Sequence, residues 1–133
     1  MTEYETIRKE IDSYLMERFK YRVSLLYLTP DNIVATRRNS RVGLYLRIRK
    51  TESLFPPDCF IIAQISFRKE RIGNGMHFIR FLSEMAVKYG FKYIGIESVN
   101  HKSRAFAEKL GFLSIDGSNY AVLIEDLMSY FQD

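Results

Sequence analysis

The sequence contains a single cysteine, Cys59, so no disulfide can form within the chain. This excludes the disulfide-stapled scaffolds of small secreted domains and suits a reducing compartment. Cys59 lies in an apolar run, where a buried structural thiol is expected. Long apolar stretches are also missing: none approaches the ~20 residues that a membrane helix needs. The opening MTEYETIRKE is mixed in charge and lacks the apolar core of an export signal, so a cytoplasmic protein without membrane attachment is expected. Repeats, low-complexity tracts and linker-like segments are absent. The 133 residues therefore read as one domain, residues 1–133, with room for a single core.

Hydrophobic residues make up 47% of the chain and aromatics 14%, a composition that excludes disorder. The net charge of +4 is mildly basic, short of what marks a dedicated nucleic-acid binder. Its distribution is more telling than its sum. Arg37, Arg38, Arg41, Arg47, Arg49 and Lys50 crowd one segment, and Arg68, Lys69 and Arg71 another. Either cluster serves as a solvated face, but the second adjoins a pair of glycines.

Hydrophobic spacing assigns the elements. Tyr4, Ile7, Ile11, Tyr14, Leu15 and Phe19 recur at helical intervals behind a Thr2-Glu5 capping box, which predicts a helix over residues 3–20. Three short segments rich in branched and aromatic residues follow, 22–28, 32–38 and 41–50, separated by turn residues. Antiparallel strands explain them. In the third, Leu44, Leu46 and Ile48 alternate with Tyr45, Arg47 and Arg49, as on a strand with one wet face. Pro56-Pro57 breaks the pattern. CFIIAQISF, residues 59–67, reads as a central strand. Helices over 75–89 and from Asn100 to Gly111, and strands over 91–99 and 120–126, complete the order. The predicted architecture is α/β: a mixed sheet with helices on both faces, in which the 59–99 unit is a right-handed crossover between parallel neighbours.

Between strand and helix lies RKERIGNGMHFIRFLSEM, residues 68–85. A helix N-terminus carries about half a positive charge and unpartnered amides, and glycines let backbone approach a ligand closely. With Arg71 alongside, the junction suits a phosphate or pyrophosphate. The same glycines also serve a plain strand-to-helix turn, and the residues alone leave both readings open. Met76-His77 after the last glycine excludes a phosphate-loop NTPase, and Phe78 stands where a dinucleotide fingerprint needs a third glycine.

ISFRKERIGNGMHFIRFLSEMAVKYGFKYIGIES followed by VNHKSRAFAEKLGF resembles the GCN5-related N-acetyltransferases (GNAT superfamily). That family carries Q/R-x-x-G-x-G/A between its fourth strand and third helix. A strand follows, then N-x-x-A-x-x-x-Y-x-K-x-G-F. Gly73-Asn74-Gly75 falls on the glycine pair, and Asn100 with Lys109-Leu110-Gly111-Phe112 falls on the second segment. The resemblance covers roughly residues 58–112. It implies acetyl-CoA as acyl donor, no metal, and transfer of an acetyl group to a primary amine of a small molecule or protein. By that resemblance, backbone groups of Ile65, Ser66 and Phe67 would bond the pantetheine arm as an added strand. Amides from Arg71, Ile72, Gly73, Asn74, Gly75 and Met76 would hold the pyrophosphate. Asn100, which also suits a helix cap, would meet the pantetheine or thioester side, and Phe106 would line the channel.

The sequence departs from the pattern at three places. Glu70 stands at the glutamine or arginine position, with Arg71 one step later. Ser103 replaces an alanine. Ala107 replaces the tyrosine that often protonates the departing thiolate, and a methyl group donates no proton. Glu97 is the best-placed carboxylate for a general base, though it also suits an ordinary solvent-facing strand position. His101 is a candidate proton relay, Ser103 or Tyr120 a candidate replacement for the lost tyrosine, and His77 fits a partly exposed helix face. The front half also starts with a helix where the family starts with a strand, so the acceptor pocket is shortened or rebuilt by the arginine-rich strands or by a second subunit in a homodimer. Two further readings stand beside the enzyme. One is a non-catalytic binder of acyl-CoA. The other is a nucleic-acid module using Arg37, Arg38, Arg41, Arg47 and Arg49 with Tyr45, although no recognised binding motif accompanies them.

Overall fold

The computed structural model describes residues 3–20, 26–29, 32–36, 42–49, 54–67, 73–97 and 101–132. The chain begins with helix α1 (Glu3–Phe19), whose Ile7, Ile11, Leu15 and Phe19 form the buried stripe that the spacing predicted. Glu3 and Glu5 in its first turn and Arg18 in its last turn complement the helix dipole. Strands β1 (Tyr27–Thr29), β2 (Asn32–Thr36), β3 (Val42–Arg49) and β4 (Cys59–Phe67) then form an antiparallel meander. Helix α2 (Asn74–Lys88) returns the chain to β5 (Tyr93–Ile96), which pairs with β4 in parallel. Helix α3 (His101–Lys109), strands β6 (Leu113–Ser114) and β7 (Tyr120–Leu123), and helix α4 (Ile124–Gln132) complete the order. The sheet runs β1-β2-β3-β4-β5-β7-β6.

The mixed α/β sheet is of the class expected from sequence, but the described helices pack on one face of it, where helices on both faces were expected. Its two faces carry different clusters. Leu44, Leu46 and Ile48 of β3 line up with Phe60 and Ile62 of β4, Ile94 and Ile96 of β5, and Val122 and Tyr120 of β7. These residues share one cluster with Ile7, Ile11 and Leu15 of α1, Phe78, Leu82 and Met85 of α2, Ala107 of α3 and Leu127 of α4. The opposite face holds a small cluster of Phe55, Cys59 and Ile61, with Tyr93 and Ala121 packed against it. Among the described residues, Phe55 of the 54–58 segment covers this cluster. Burial pushes the Cys59 thiol up to about 12, so it stays an inert thiol, as its apolar setting suggested.

Ring stacking and hydrogen bonds tie α1 to α2 and its C-terminal end. The Tyr14 ring stacks on Phe81 with centroids 4.2 Å apart. Glu10 accepts hydrogen bonds from Lys88 Nζ at 2.5 Å and from the Tyr89 hydroxyl. Helices α2 and α3 end alike. The amides of Gly90 and Phe91 return to the carbonyls of Val87 and Ala86, and those of Gly111 and Phe112 to Glu108 and Ala107. Gly90 and Gly111 take the positive φ that this Schellman closure requires.

Several boundaries differ from the sequence reading. The last strand ends at Leu123, and residues expected to continue it form α4. The Ile124 amide bonds the Lys92 carbonyl at 2.8 Å, while Glu125 and Asp126 favour the N-terminus of a helix whose Ile124 and Leu127 are buried. Strand β6 was not anticipated, because two exposed residues show no alternation. The first strand starts at Tyr27, later than expected; positions 22–25, like Arg37, Arg38, Arg41 and Lys50, lie outside the described residues.

Candidate functional site

The site is built around an asymmetry in β4. On one side it pairs with β3 along its whole length, from Cys59 opposite Arg49 to Phe67 opposite Val42. On the other it pairs with β5 only from Cys59 to Ile62. The last main-chain link runs from the Glu97 amide to the Ile62 carbonyl, at 3.0 Å. Past it, residues 63–67 have no strand partner on that side among the described residues. Main-chain groups of an extended strand alternate in direction, so part of this segment's amides and carbonyls turn toward the gap.

A β-bulge sits at the same level. Leu46 lies opposite Ile62 and Tyr45 opposite Gln64, which leaves Ala63 as the extra residue of β4. A bulge bends its strand and increases the local twist. It falls at the level where the pairing of β4 with β5 ends among the described residues. The CFIIAQISF run gave no signal for it, since it interrupts neither polarity nor length.

Helix α2 opens with Gly73 at φ 74°, and no side chain caps its first turn. That turn also contains no acidic residue. The main chain alone provides the helix entry, with the His77 amide bonded to the Gly73 carbonyl at 3.0 Å. From α3, Phe106 reaches this turn: a Cβ on Gly75 would sit 3.7 Å from the tip of its ring. Phe106 and Met76 are half-buried and pack on the main core.

Glu97 follows β5 directly and turns to the face opposite the helices. Arg47 Nε donates to its Oε2 at 2.5 Å, bridging β3 and β5 across β4. Both side chains are partly buried. The Arg47 guanidinium lies over the Tyr45 ring, 5.0 Å from its centroid. The hydrogen bond to Glu97 is the main reason Arg47 is held above its ordinary pKa, against the opposing effect of burial.

The expected site residues are thus distributed as follows. Gly73, Gly75, Met76 and Phe106 meet at the mouth of α2. Ile65, Ser66 and Phe67 lie on the unpaired part of β4, where backbone alone is described, as it is for Asn74. Arg71, Ile72 and Asn100 fall outside the described residues. Glu97 stands at the end of β5 on the other face. The weaker proton-transfer alternatives lie elsewhere. Tyr120 is buried in the main core. His77 lies on the α1–α2 seam, where its Nδ1 meets the Tyr14 hydroxyl at 2.6 Å. Burial, then the charges of Arg18 and Arg80, keep that imidazole below its usual pKa. Ala107, at the family's tyrosine position, is fully buried.

Sequence reasoning named Arg47 only among the arginine-rich strands and missed its pairing with Glu97. Alternation with Leu46 and Ile48 put it on the wet face of β3, but its partner depends on a register across three strands that no local pattern encodes.

A mixed sheet whose central parallel pair splays beside a glycine-led helix defines the GNAT fold of acyl-CoA-dependent acetyltransferases. Comparison with solved structures shows that fold for this chain. An acetyltransferase of the GNAT family from Staphylococcus aureus Mu50 matches 90% of this chain and 94% of its own, at TM-score 0.51 and 9% identity. A mutant AtaT toxin, bound to the C-terminus of the antitoxin AtaR and to acetyl-CoA, matches 77% of this chain and 71% of its own, at TM-score 0.52 and 13% identity. A KacTA chain in complex with DNA matches 94% of this chain and 86% of its own, at TM-score 0.54 and 14% identity. No protein-family model and no curated protein sequence matches the chain.

Proposed function

We propose that the chain is an N-acetyltransferase that transfers the acetyl group of acetyl-CoA to a primary amine of a small molecule or protein. The observation that carries this reading is the main chain of β4 beyond Ile62, which has no partner on the β5 side among the described residues, with the entry of α2, free of a side-chain cap, following it in sequence. An extended, amide-bearing ligand with an anionic end fits both features: strand-type hydrogen bonds for its arm and free helix amides for its charge. The described residues fit the donor, since nothing in the first turn of α2 is acidic and no side chain occupies its cap.

In this reading Ile65, Ser66 and Phe67 hold the pantetheine arm through backbone groups. Arg71, Ile72, Gly73, Asn74, Gly75 and Met76 hold the pyrophosphate, while Asn100 and Phe106 bound the channel. Bound acetyl-CoA supplies an activated thioester carbonyl. Glu97 accepts, directly or through water, the proton that the acceptor amine loses as it becomes acylated. The donor's arm and the acceptor then use opposite sides of the sheet.

Calorimetry with acetyl-CoA, followed by a free-thiol assay over an amine panel, tests the proposal. Heat of binding and acceptor-dependent thiol release are expected. Absence of any binding to acetyl-CoA overturns the reading. A second reading, a non-catalytic acyl-CoA binder, is favoured by the buried methyl of Ala107 where a proton donor would stand. Tight binding with no thiol release for any amine would select it. The nucleic-acid reading is the weaker one. It loses Arg47 and Tyr45, which are engaged with Glu97 and with each other.

A further inference from the structure

We infer that Arg47 is a positioning residue for the reaction, fixing Glu97 through one carboxylate oxygen so that the other faces the acceptor amine. This rests on the acetyltransferase reading above and names a part of the machinery that reading does not contain. Three observations carry it.

First, the contact is selective within the carboxylate. Arg47 Nε binds Oε2 at 2.5 Å, and Oε1 has no hydrogen-bond partner among the described residues. A carboxylate pinned at one oxygen has lost its rotational freedom yet keeps an accepting lone pair for a proton. Second, Arg47 is itself held. Its guanidinium covers the Tyr45 ring two residues earlier on β3, so Tyr45, Arg47 and Glu97 form a chain from a rigid strand to the carboxylate. Planar stacking combined with a directional N–H is a task for arginine that lysine performs poorly. Third, the place is right. Among the described residues, the Glu97 amide makes the last link between β5 and β4, so its carboxylate stands where their described pairing ends. The bulge at Ala63 lies between the two members of the pair on the intervening strand.

The alternative is an ion pair that merely ties β3 to β5. A partly exposed pair of this kind contributes little to stability, about 0–1 kcal/mol, so a stability role and a positioning role differ in what they predict. Losing the orientation of a base costs turnover and leaves binding alone, and a misplacement of about 1 Å is worth up to ~10²-fold in rate.

The test uses the full chain, acetyl-CoA and the amine that gives the fastest thiol release. Arg47→Met is expected to lower kcat about 10- to 100-fold, with the acceptor KM and the calorimetric affinity for acetyl-CoA unchanged. Arg47→Lys, which keeps the charge and guards against misfolding, should recover part of the loss. In a Glu97→Gln background, Arg47→Met should cost nothing more, because the group it positions is gone. An unchanged kcat in a folded Arg47→Met, or an equal loss in both backgrounds, overturns the inference while the acetyltransferase reading stands. A wild-type chain that neither binds acetyl-CoA nor releases thiol overturns both.

Discussion

The Phe55 ring occupies the space in which Gly95 would carry a side chain. A Cβ at Gly95 would lie 2.7 Å from two of the ring carbons and 2.9 Å from the Cys59 sulfur. The loop before β4 is thus seated on the bare backbone of β5, one step before the Ile96–Glu97 link to the site.

Gly95→Ala should therefore overpack this seam and cost about 1–3 kcal/mol. A lowered melting temperature is expected, with partial recovery in a Gly95→Ala/Phe55→Leu double variant. Equal stability of Gly95→Ala and wild type would show that the loop yields freely.

Gly73 separates backbone strain from steric blockage. Its φ of 74° is unfavourable for residues with a Cβ, yet a Cβ there would meet nothing within 4 Å. Gly73→Val should keep the fold at a cost of about 1–2 kcal/mol and reduce acetyl-CoA affinity more than tenfold by calorimetry. Gly75→Ala, whose Cβ makes an ordinary contact with Phe106, should perturb both less.

Glu10 gives the stability a pH dependence. Burial opposes its ionisation, but hydrogen bonds from Lys88 and Tyr89 and the charge of Lys88 outweigh this and hold its pKa below the ordinary 4.5. A depressed carboxylate stabilises the fold above its unfolded pKa, and that contribution disappears as pH falls through the folded value. Chemical denaturation from pH 7 toward pH 3 (from about three units above to about one unit below the usual carboxylate range) should show wild type losing more stability than Glu10→Gln. The difference at pH 7 should be about 0.5–1 kcal/mol.

Ala107 bears on the second reading of the function. Restoring the family's tyrosine by Ala107→Tyr should not create a proton donor, because the position is sealed in the core. Destabilisation of about 1–3 kcal/mol is expected, with no gain in thiol release. A stable, faster variant would show that this part of α3 can turn its side chain to the gap.

Much of the fold was legible because burial on one face writes itself into periodicity. The stripe of α1, the alternation of β3 and the apolar run of β4 each predicted their element, and Gly90 and Gly111 marked two helix ends. What failed was local in signal or non-local in cause. β6 is two exposed residues long. Ile124 continues the alternation of β7 while its amide is diverted to Lys92, starting a helix. The site divides in the same way. Glycines at a helix mouth are visible as letters, whereas the Ala63 bulge and the Arg47–Glu97 pairing arise from register between strands distant in sequence.

Among the described residues, the helices and the main cluster lie on one side of the sheet, and the 54–58 segment with a three-residue cluster on the other. A chain built this way can diversify asymmetrically. Insertions or substitutions around Leu54, Phe55 and their neighbours would re-cut the surface beside Tyr45, Arg47 and Glu97, while the helical layer and the entry of α2 keep their shape. In the acetyltransferase reading proposed above, selectivity for a new amine would then be a matter of altering one strap, with recognition of the donor left unchanged.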